Sequence, residues 1–223
     1  METGTGKITV VDILEEQWAN EWKKYYKPIT IGSNIVIKPT WEAYNEDDSK
    51  LIIEMDPGMA FGTGTHETTS MCVELLENYV KENHTVLDIG TGSGILGIVC
   101  AKLGAKQIIG VDIDEMAVKV ANENITLNSV EHQMKAVTGD LLEVVTQKSD
   151  IVVSNIIADV IINLSSQVQD VVAKDGIWIA SGIIDLRIDD VLEAMEKNGW
   201  VIKQKVQQKE WFALVVTRGI VYA

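Results

Sequence analysis

The sequence V-L-D-I-G-T-G-S-G-I-L, residues 86–96, decides the fold class of this chain. An apolar run typical of a buried strand leads into three closely spaced glycines, and a second apolar run then opens a helix. Glycines in such a turn let the backbone approach a nucleotide-like ligand without a clash from a Cβ atom. The alternative is that they only form a tight turn between a strand and a helix.

Apolar runs and helical patterns continue to alternate after this stretch. Strands are expected at residues 107–114, 134–138, 150–155 and 176–182, and helices at 115–128 and 160–173. This alternation predicts an α/β protein with a doubly wound, mostly parallel sheet of the Rossmann-like type. Two further strands, 200–206 and 211–217, are separated by a few polar residues, which predicts an antiparallel hairpin at one edge of the sheet.

Residues 1–56 differ from the rest, and we interpret them as a linker helix and a small β element ahead of a main domain at 57–223. Four aromatic residues follow helical spacing before Pro28, which favours packing against a neighbouring domain. They are Trp18, Trp22, Tyr25 and Tyr26. Two apolar runs around a Gly-Ser-Asn turn, followed by L-I-I-E-M, predict the small β element.

The composition excludes several classes of protein. A formal net charge of −14 argues against direct nucleic-acid binding through phosphate neutralisation and suits a basic partner, although acidity also serves solubility. Two cysteines are too few for a disulfide framework or a four-ligand zinc site, so we expect no metal and a reducing compartment. With neither a leader pattern nor a membrane-length apolar run, the expected location is the cytoplasm.

Two acidic residues indicate which ligand the glycine turn holds. Asp112 ends the next strand, where a carboxylate can accept both hydroxyls of a ribose. Gly90 and Gly92 follow G-x-G-x-G spacing, which differs from the G-x-G-x-x-G of dinucleotide sites. Asp88, expected at the mouth of the turn, would repel a pyrophosphate and receive an ammonium group. These features favour S-adenosylmethionine, a cationic sulfonium, over a dinucleotide.

The glycine turn and V-D-I-D after it resemble the first two motifs of the seven-stranded class I methyltransferases. Further segments resemble the ribosomal protein methyltransferase PrmA family: W-K-K-Y-Y-K-P at 22–28, V-I-K-P-T-W-E at 36–42, M-D-P-G-M-A-F-G-T-G-T-H-E-T-T-S at 55–70 and D-I-V-V-S-N-I-I-A at 150–158. The resemblance implies trimethylation of amines of large-subunit ribosomal protein eleven. It also implies an N-terminal recognition domain, for which this chain has about seventeen residues, so we expect a truncated or shortened form.

The resemblance assigns cofactor contacts to Thr69, Gly90, Asp112 and Asn155. Asp140, after the third strand, holds a position where such folds contact adenine, although it could instead cap the next helix. The chain departs from the family in having Glu67 where Pro is usual and Ile157 where Leu is usual. Glu67 adds a charge near the expected mouth of the site.

The expected chemistry is an in-line methyl transfer to an amine, which needs alignment and desolvation rather than a metal or a nucleophilic side chain. Asn155 and the backbone carbonyl of Ile156 are the predicted acceptors for the amine N–H groups, and Asn155 could instead merely end a strand. His66 is a candidate base or a loop residue that positions the backbone. Two alternatives remain. One is a methyltransferase for a small-molecule amine, another protein's amine or a nucleic-acid amine, and the other is a cofactor-binding module without activity.

Overall fold

The computed structural model describes residues 26–44, 49–55, 66–140, 144–145 and 147–219. The predicted aromatic helix lies almost wholly outside these residues, and the segment from Asp56 to Thr65 lies wholly outside them. No helix among the described residues is long and apolar enough to cross a membrane.

Strands and helices alternate along the described chain from residue 67 onward, as the sequence predicts. The strands are β1 (Ile29–Ile31), β2 (Ile35–Pro39), β3 (Leu51–Met55), β4 (Thr85–Ile89), β5 (Gln107–Asp112), β6 (Met134–Thr138), β7 (Ser149–Asn155), β8 (Val172–Ile184), β9 (Trp200–Gln208) and β10 (Trp211–Arg218). The α-helices are α1 (Glu67–Tyr79), α2 (Ile95–Lys102), α3 (Glu115–Leu127), α4 (Ala158–Leu164) and α5 (Ile188–Lys197). Short 3₁₀ turns lie at Val168–Asp170 and Asp185–Arg187.

Seven strands form one sheet in the order β6-β5-β4-β7-β8-β10-β9. Strands β4 to β8 pair in parallel, and β10 runs antiparallel between β8 and β9. The predicted fold class and the terminal hairpin are therefore confirmed. The chain order reverses between β4 and β7, and open α/β sheets bind ligands at the carboxyl ends of strands beside such a reversal. The glycine turn after β4 lies at that point.

Alternating residues of the central strands face two separate apolar clusters, one on each side of the sheet. Val86 packs with α1, α2 and α3, whereas its neighbour Leu87 packs with α4 and α5. The largest fully buried side chain, Trp178, lies in the second cluster and donates from Nε1 to Ser154 Oγ at 2.8 Å. The sheet is thus covered on both faces, which explains why its parallel strands are almost continuously apolar.

The predicted small β element forms a three-stranded sheet, with β1 antiparallel and β3 parallel to β2. Four of its isoleucines belong to the same apolar cluster as α1, α2 and α3, namely Ile31, Ile35, Ile37 and Ile53. Glu77 in α1 accepts hydrogen bonds from the backbone of Ser33 and Asn34, both at 2.8 Å. Asn128 exchanges two hydrogen bonds with the backbone of Glu54. The small sheet therefore packs directly on the main one, while the boundary at residue 56 stays a prediction.

The helix expected at residues 160–173 is wrong in extent, since α4 ends at Leu164. Ser165 and Ser166 donate from their hydroxyls to the carbonyls of Ile162 and Asn163, at 2.6 and 3.2 Å. Such local side-chain bonds compete with the helical hydrogen-bond ladder. The chain then passes through the turn at Val168–Asp170 and enters β8 at Val172.

Candidate functional site

A cavity of about 770 Å³ lies at the carboxyl ends of the parallel strands, beside the reversal in strand order. That volume is within the range of sites for cofactors and small ligands. Six of the predicted site residues line it, namely Thr69, Gly90, Gly92, Asp112, Asp140 and Asn155. The structure thus brings together residues that are up to 86 positions apart in the sequence. Whether each of them contacts a cofactor stays a prediction.

The glycine turn forms the floor of this cavity. Gly90, Gly92 and Gly94 all have positive φ angles, of 71°, 54° and 83°, which side chains other than glycine rarely adopt. A Cβ atom at Gly90 would lie 2.5 Å from Ile156 Cγ2. The backbone N–H groups of Gly90 and Thr91 donate to the carbonyl of Val111 at 2.8 and 3.0 Å. The turn is therefore fixed against β5 and leaves open space above its backbone.

Asp112 is at the end of β5 and connects that strand to the glycine turn. Its Oδ2 accepts from the backbone N–H of Gly92 at 2.9 Å, and its Oδ1 accepts from Asp114 at 3.1 Å. These bonds hold the carboxylate at the wall of the cavity, where it is only partly buried. Each carboxylate oxygen retains a lone pair that a ligand hydroxyl can use.

Asp88 was expected at the mouth of the glycine turn, and its side chain lies beneath the turn instead. It is 1% exposed, and Oδ2 accepts from Thr91 Oγ1 at 2.7 Å and from the backbone of Gly97 at 3.1 Å. Its Oδ1 is buried without a hydrogen-bond partner among the described residues. Burial raises the pKa of this carboxyl to about 6 against the opposing effect of the two hydrogen bonds. Asp88 therefore shapes the turn, and its contact with a ligand stays a prediction.

Asn155 ends β7 and is oriented by a contact across the cavity. Its Nδ2 donates to Thr69 Oγ1 at 3.3 Å, and Thr69 is fully buried in the first turn of α1. This contact uses the amide NH₂ group and leaves the side-chain carbonyl available as an acceptor. The next residue, Ile156, donates its backbone N–H to the carbonyl of Ser181 at 3.1 Å. The end of β7 is thus held against both α1 and β8.

Gly182 explains how β7 and β8 approach each other so closely at the cavity. Its φ is +86°, and a Cβ atom there would lie 2.3 Å from the carbonyl oxygen of Ile156. Only glycine fits this position without moving the backbone. The role of the Ile156 carbonyl as an acceptor for an amine stays a prediction.

An aromatic pair forms a further wall of the cavity. His66 caps α1, with Nδ1 accepting from the backbone of Thr68 at 3.3 Å and lying 2.8 Å from Thr68 Oγ1. Its ring meets Trp211 edge-on, with the centroids 5.0 Å apart. The capping contact is what a loop histidine that positions the backbone would make, and a role as a base remains untested. Trp211 was not among the predicted site residues, although an antiparallel last strand must begin at the carboxyl edge of the sheet.

Glu67, the position at which the chain departs from the family pattern, forms an ion pair with Lys209 in the turn between β9 and β10. The hydrogen bond from Lys209 holds the pKa of the Glu67 carboxyl below its usual value. The added charge therefore ties the hairpin to the start of α1. Elsewhere on the rim, Asp140 and Ile113 are exposed, and the residues after Asp140 that would show a helix cap lie outside the described part.

The described ranges hold no group of three or more His, Cys, Asp or Glu side chains that could bind a metal ion. Cys72 and Cys100 are both buried as free thiols. Burial raises the pKa of the Cys72 thiol to about 12, so this side chain is not a ready nucleophile.

Comparisons with known proteins agree with this geometry. The family model described as "Ribosomal protein L11 methyltransferase (PrmA)" matches residues 1–219. The chain is 54% identical over 215 residues to the ribosomal protein L11 methyltransferase of Alkaliphilus oremlandii, covering 96% of this chain and 69% of that protein. A Clostridium perfringens protein of the same name is 50% identical, with 96% and 68% covered. The crystal structure of a ribosomal protein L11 methylase from Lactobacillus delbrueckii subsp. bulgaricus superposes with a TM-score of 0.83 at 34% identity, covering 87% of this chain and all of that one.

Proposed function

Because this chain belongs to the ribosomal protein L11 methyltransferase (PrmA) family, we propose that it transfers methyl groups from S-adenosylmethionine to lysine and N-terminal amines of ribosomal protein L11. The observation that carries the proposal is the oriented Asn155 amide at the wall of a cavity whose floor is the glycine turn. Membership of the family indicates that the chain is a methyltransferase. The proposal adds that its targets are lysine and N-terminal amines.

The cofactor is S-adenosylmethionine, and the residues of the cavity fit it. The positive-φ glycines expose backbone where a Cβ atom at Gly90 would meet Ile156. Asp112 is a carboxylate with free acceptor capacity, suited to the vicinal hydroxyls of a ribose. Ile113, beside it, is an apolar side chain that is 69% exposed at the cavity wall, suited to the face of a planar ring. The exposed glycine backbone, the Asp112 carboxylate and the Ile113 side chain therefore suit different parts of an adenosine-containing ligand.

When bound, S-adenosylmethionine supplies an electrophilic methyl group carried on a sulfonium. The chain's own contribution is to hold the amine in line with that group and to keep water away. The carbonyl of Asn155 can accept an N–H bond from the amine and direct its lone pair, because Thr69 fixes the rotation of the amide. His66, Trp211 and Ile157 surround this position with ring and aliphatic surface, which limits water around the amine.

The amine must lose a proton before it can react. At pH 7 this costs about 4.6 kcal/mol for a lysine with a pKa of about 10.4, and about 1 kcal/mol for an α-amine with a pKa near 7.8. Partial burial in an apolar cavity lowers the pKa of either amine, since desolvation disfavours the charged form. A dedicated base is therefore not required, and α-amines are expected to react more readily than lysines at neutral pH.

Intact-mass spectrometry of ribosomal protein L11 after incubation with this chain and S-adenosylmethionine tests the proposal. We expect added methyl groups on the protein, and peptide mapping should place them on lysine side chains and the N-terminal amine. An Asn155→Ala sample serves as the control for contaminating activity. Methylation of free lysine or of RNA, with the ribosomal protein unmodified, would replace the proposal with a different substrate class. Cofactor binding without any transfer would reduce the chain to a binding module.

A further inference from the structure

Two exposed apolar side chains lie on ordered turns at the carboxyl edge of the sheet, and one of them, Ile157, lines the cavity. Ile157 is 67% exposed and precedes α4, and Leu186 is 84% exposed in the turn that follows β8. No other large apolar side chain on the described surface is as exposed as Leu186. Scattered apolar residues are common on protein surfaces, whereas two that are held on ordered turns, one of them lining the cavity, indicate a contact surface.

The turn that carries Leu186 is fixed at three points. The backbone N–H of Asp185 donates to the carbonyl of Glu210 at 2.8 Å, which joins the turn to the β9–β10 hairpin. The backbone of Leu186 donates to Asp185 Oδ1 at 2.7 Å. Arg187 forms ion pairs with Asp159 and Asp190, both at 2.7 Å. Leu186 is therefore displayed on a braced turn, so little backbone entropy is lost when a partner covers it.

The Arg187–Asp159 pair makes this turn continuous with the reacting site. Asp159 lies in the first turn of α4, two residues after Ile157, and Ile157 itself lines the cavity. Asn155, the predicted contact of the amine, is two residues before Ile157. The rim formed by Ile157, Asp159 and 185–190, here called the α4–α5 rim, thus leads from open solvent to the position of the reacting amine.

The charge of the α4–α5 rim is negative. It carries four carboxylates, Asp159, Asp185, Asp189 and Asp190, against the single cation Arg187, which gives a formal charge of −3. All four aspartates are exposed, and Asp189 forms no ion pair with another described residue. A surface that combines two apolar side chains with excess carboxylates complements a segment that carries lysines and an apolar residue.

We propose that the α4–α5 rim is the docking surface for the basic segment of the protein substrate that flanks the methylated amine. An apolar side chain of that segment covers Leu186 and Ile157, and its other lysines face the rim carboxylates. This inference rests on the proposed function, and it adds a docking determinant that extends beyond the cavity and selects among protein amines. Leu186 and the rim aspartates do not line the cavity, so their effect falls on substrate affinity.

Leu186→Ser tests the apolar part of the rim, with Val201→Ser as the matched control. Val201 is 51% exposed at the start of β9, which is the end of the sheet away from the cavity. With ribosomal protein L11 as substrate, Leu186→Ser should lower kcat/KM about tenfold, mainly through KM, as expected for losing burial of one leucine. Val201→Ser should stay within about twofold of wild type. Cofactor Kd and thermal stability should be unchanged in Leu186→Ser, since the side chain is almost fully exposed.

Asp189→Lys tests the charge of the rim. At low salt it should lower kcat/KM about threefold, and the difference from wild type should shrink as added salt screens the charges. Equal kcat/KM for wild type, Leu186→Ser and Asp189→Lys at low salt would overturn the docking surface while leaving the proposed function intact. A wild-type chain that binds S-adenosylmethionine but never methylates the ribosomal protein would overturn the proposed function, and the docking surface with it.

Discussion

The two ends of the seven-stranded sheet carry cavities of different chemistry. The cavity at the carboxyl ends has a volume of about 770 Å³. It is lined by the glycine turn, by apolar side chains and by the Asn155 amide, which is held by Thr69. At the amino ends, a groove of about 560 Å³ is lined by three lysines and two aspartates together with other polar and apolar groups; the charged residues are Lys81, Lys174, Lys203, Asp150 and Asp175. None of these lysines pairs with a carboxylate among the described residues.

Helix direction accounts for much of this difference in charge. All five α-helices begin at the carboxyl edge, so the positive ends of their dipoles favour carboxylates there and lysines at the opposite edge. In the amino-end groove, Asp150 Oδ2 accepts hydrogen bonds from the backbone N–H and the hydroxyl of Thr85, both at 2.8 Å. Helix direction does not explain the Asn155–Thr69 contact or the positive-φ glycines. What distinguishes the functional end is therefore its fixed polar geometry rather than its charge.

Asn155→Ala should produce the largest change at the functional end. We expect the rate of methyl transfer to fall by about 10²–10³-fold, because the amine loses the group that aligns it, while cofactor Kd changes far less. Asn163→Ala, an exposed asparagine in α4, is the matched control and should behave as wild type. Single-turnover rates and cofactor titrations measure the two effects separately. Equal losses in binding and turnover would assign Asn155 to cofactor binding alone.

Asp112→Ala should weaken cofactor binding by about 1.5–3 kcal/mol, or about 10- to 150-fold in Kd, because charge-assisted hydrogen bonds to the ligand are lost. The variant also removes the carboxylate that holds Gly92. Asp114→Ala is the control for local structure, since it removes the cap of α3 and leaves Asp112 in place. Isothermal titration calorimetry should show a raised cofactor Kd for Asp112→Ala and an unchanged cofactor Kd for Asp114→Ala. An unchanged Kd would mean that the ribose is held elsewhere.

Asp88→Asn should change how stability depends on pH. Burial raises the pKa of Asp88 to about 6 from the ordinary value of 3.8, so the folded state favours the protonated carboxyl. Its contribution to stability is present at pH below 3.8 and is lost as the pH rises through about 6. Relative to Asp88→Asn, the free energy of unfolding of the wild type should fall by about 2 kcal/mol between pH 4 and pH 6. Parallel urea-unfolding profiles would contradict the account of a buried carboxylate beneath the turn.

Neutralising the lysines of the amino-end groove should have the smallest effect. We expect the variant with Lys81, Lys174 and Lys203 all replaced by Met to keep cofactor Kd and kcat/KM within about twofold of wild type, because exposed, unpaired side chains contribute little. A melting curve checks that the fold is intact. A large loss of transfer would mean that charge at the far end of the sheet takes part in the function, and would break the distinction between the two ends.

The sequence predicts the functional end well where the position of a residue follows from strand order. Gly90 follows a parallel strand, and Asp112 and Asn155 each end one, so their convergence at one edge needs no tertiary detail. The burial of Asp88 was missed because it depends on Thr91 and Gly97 folding over the carboxylate. The exposed Leu186 was missed because its position depends on the ion pairs of Arg187 next to it. A local sequence pattern does not show those pairs. Contacts of this kind between side chains cannot be predicted from local sequence patterns.

A crystal structure of this chain with S-adenosylhomocysteine, the product left after methyl transfer, tests the central claim most directly. We expect the ligand in the carboxyl-end cavity, with its ribose hydroxyls on the Asp112 carboxylate and its sulfur facing Asn155 across the space left for an amine. Density for the ligand in the lysine-lined groove, or in the cavity with the ribose away from Asp112 and the sulfur away from Asn155, would contradict it.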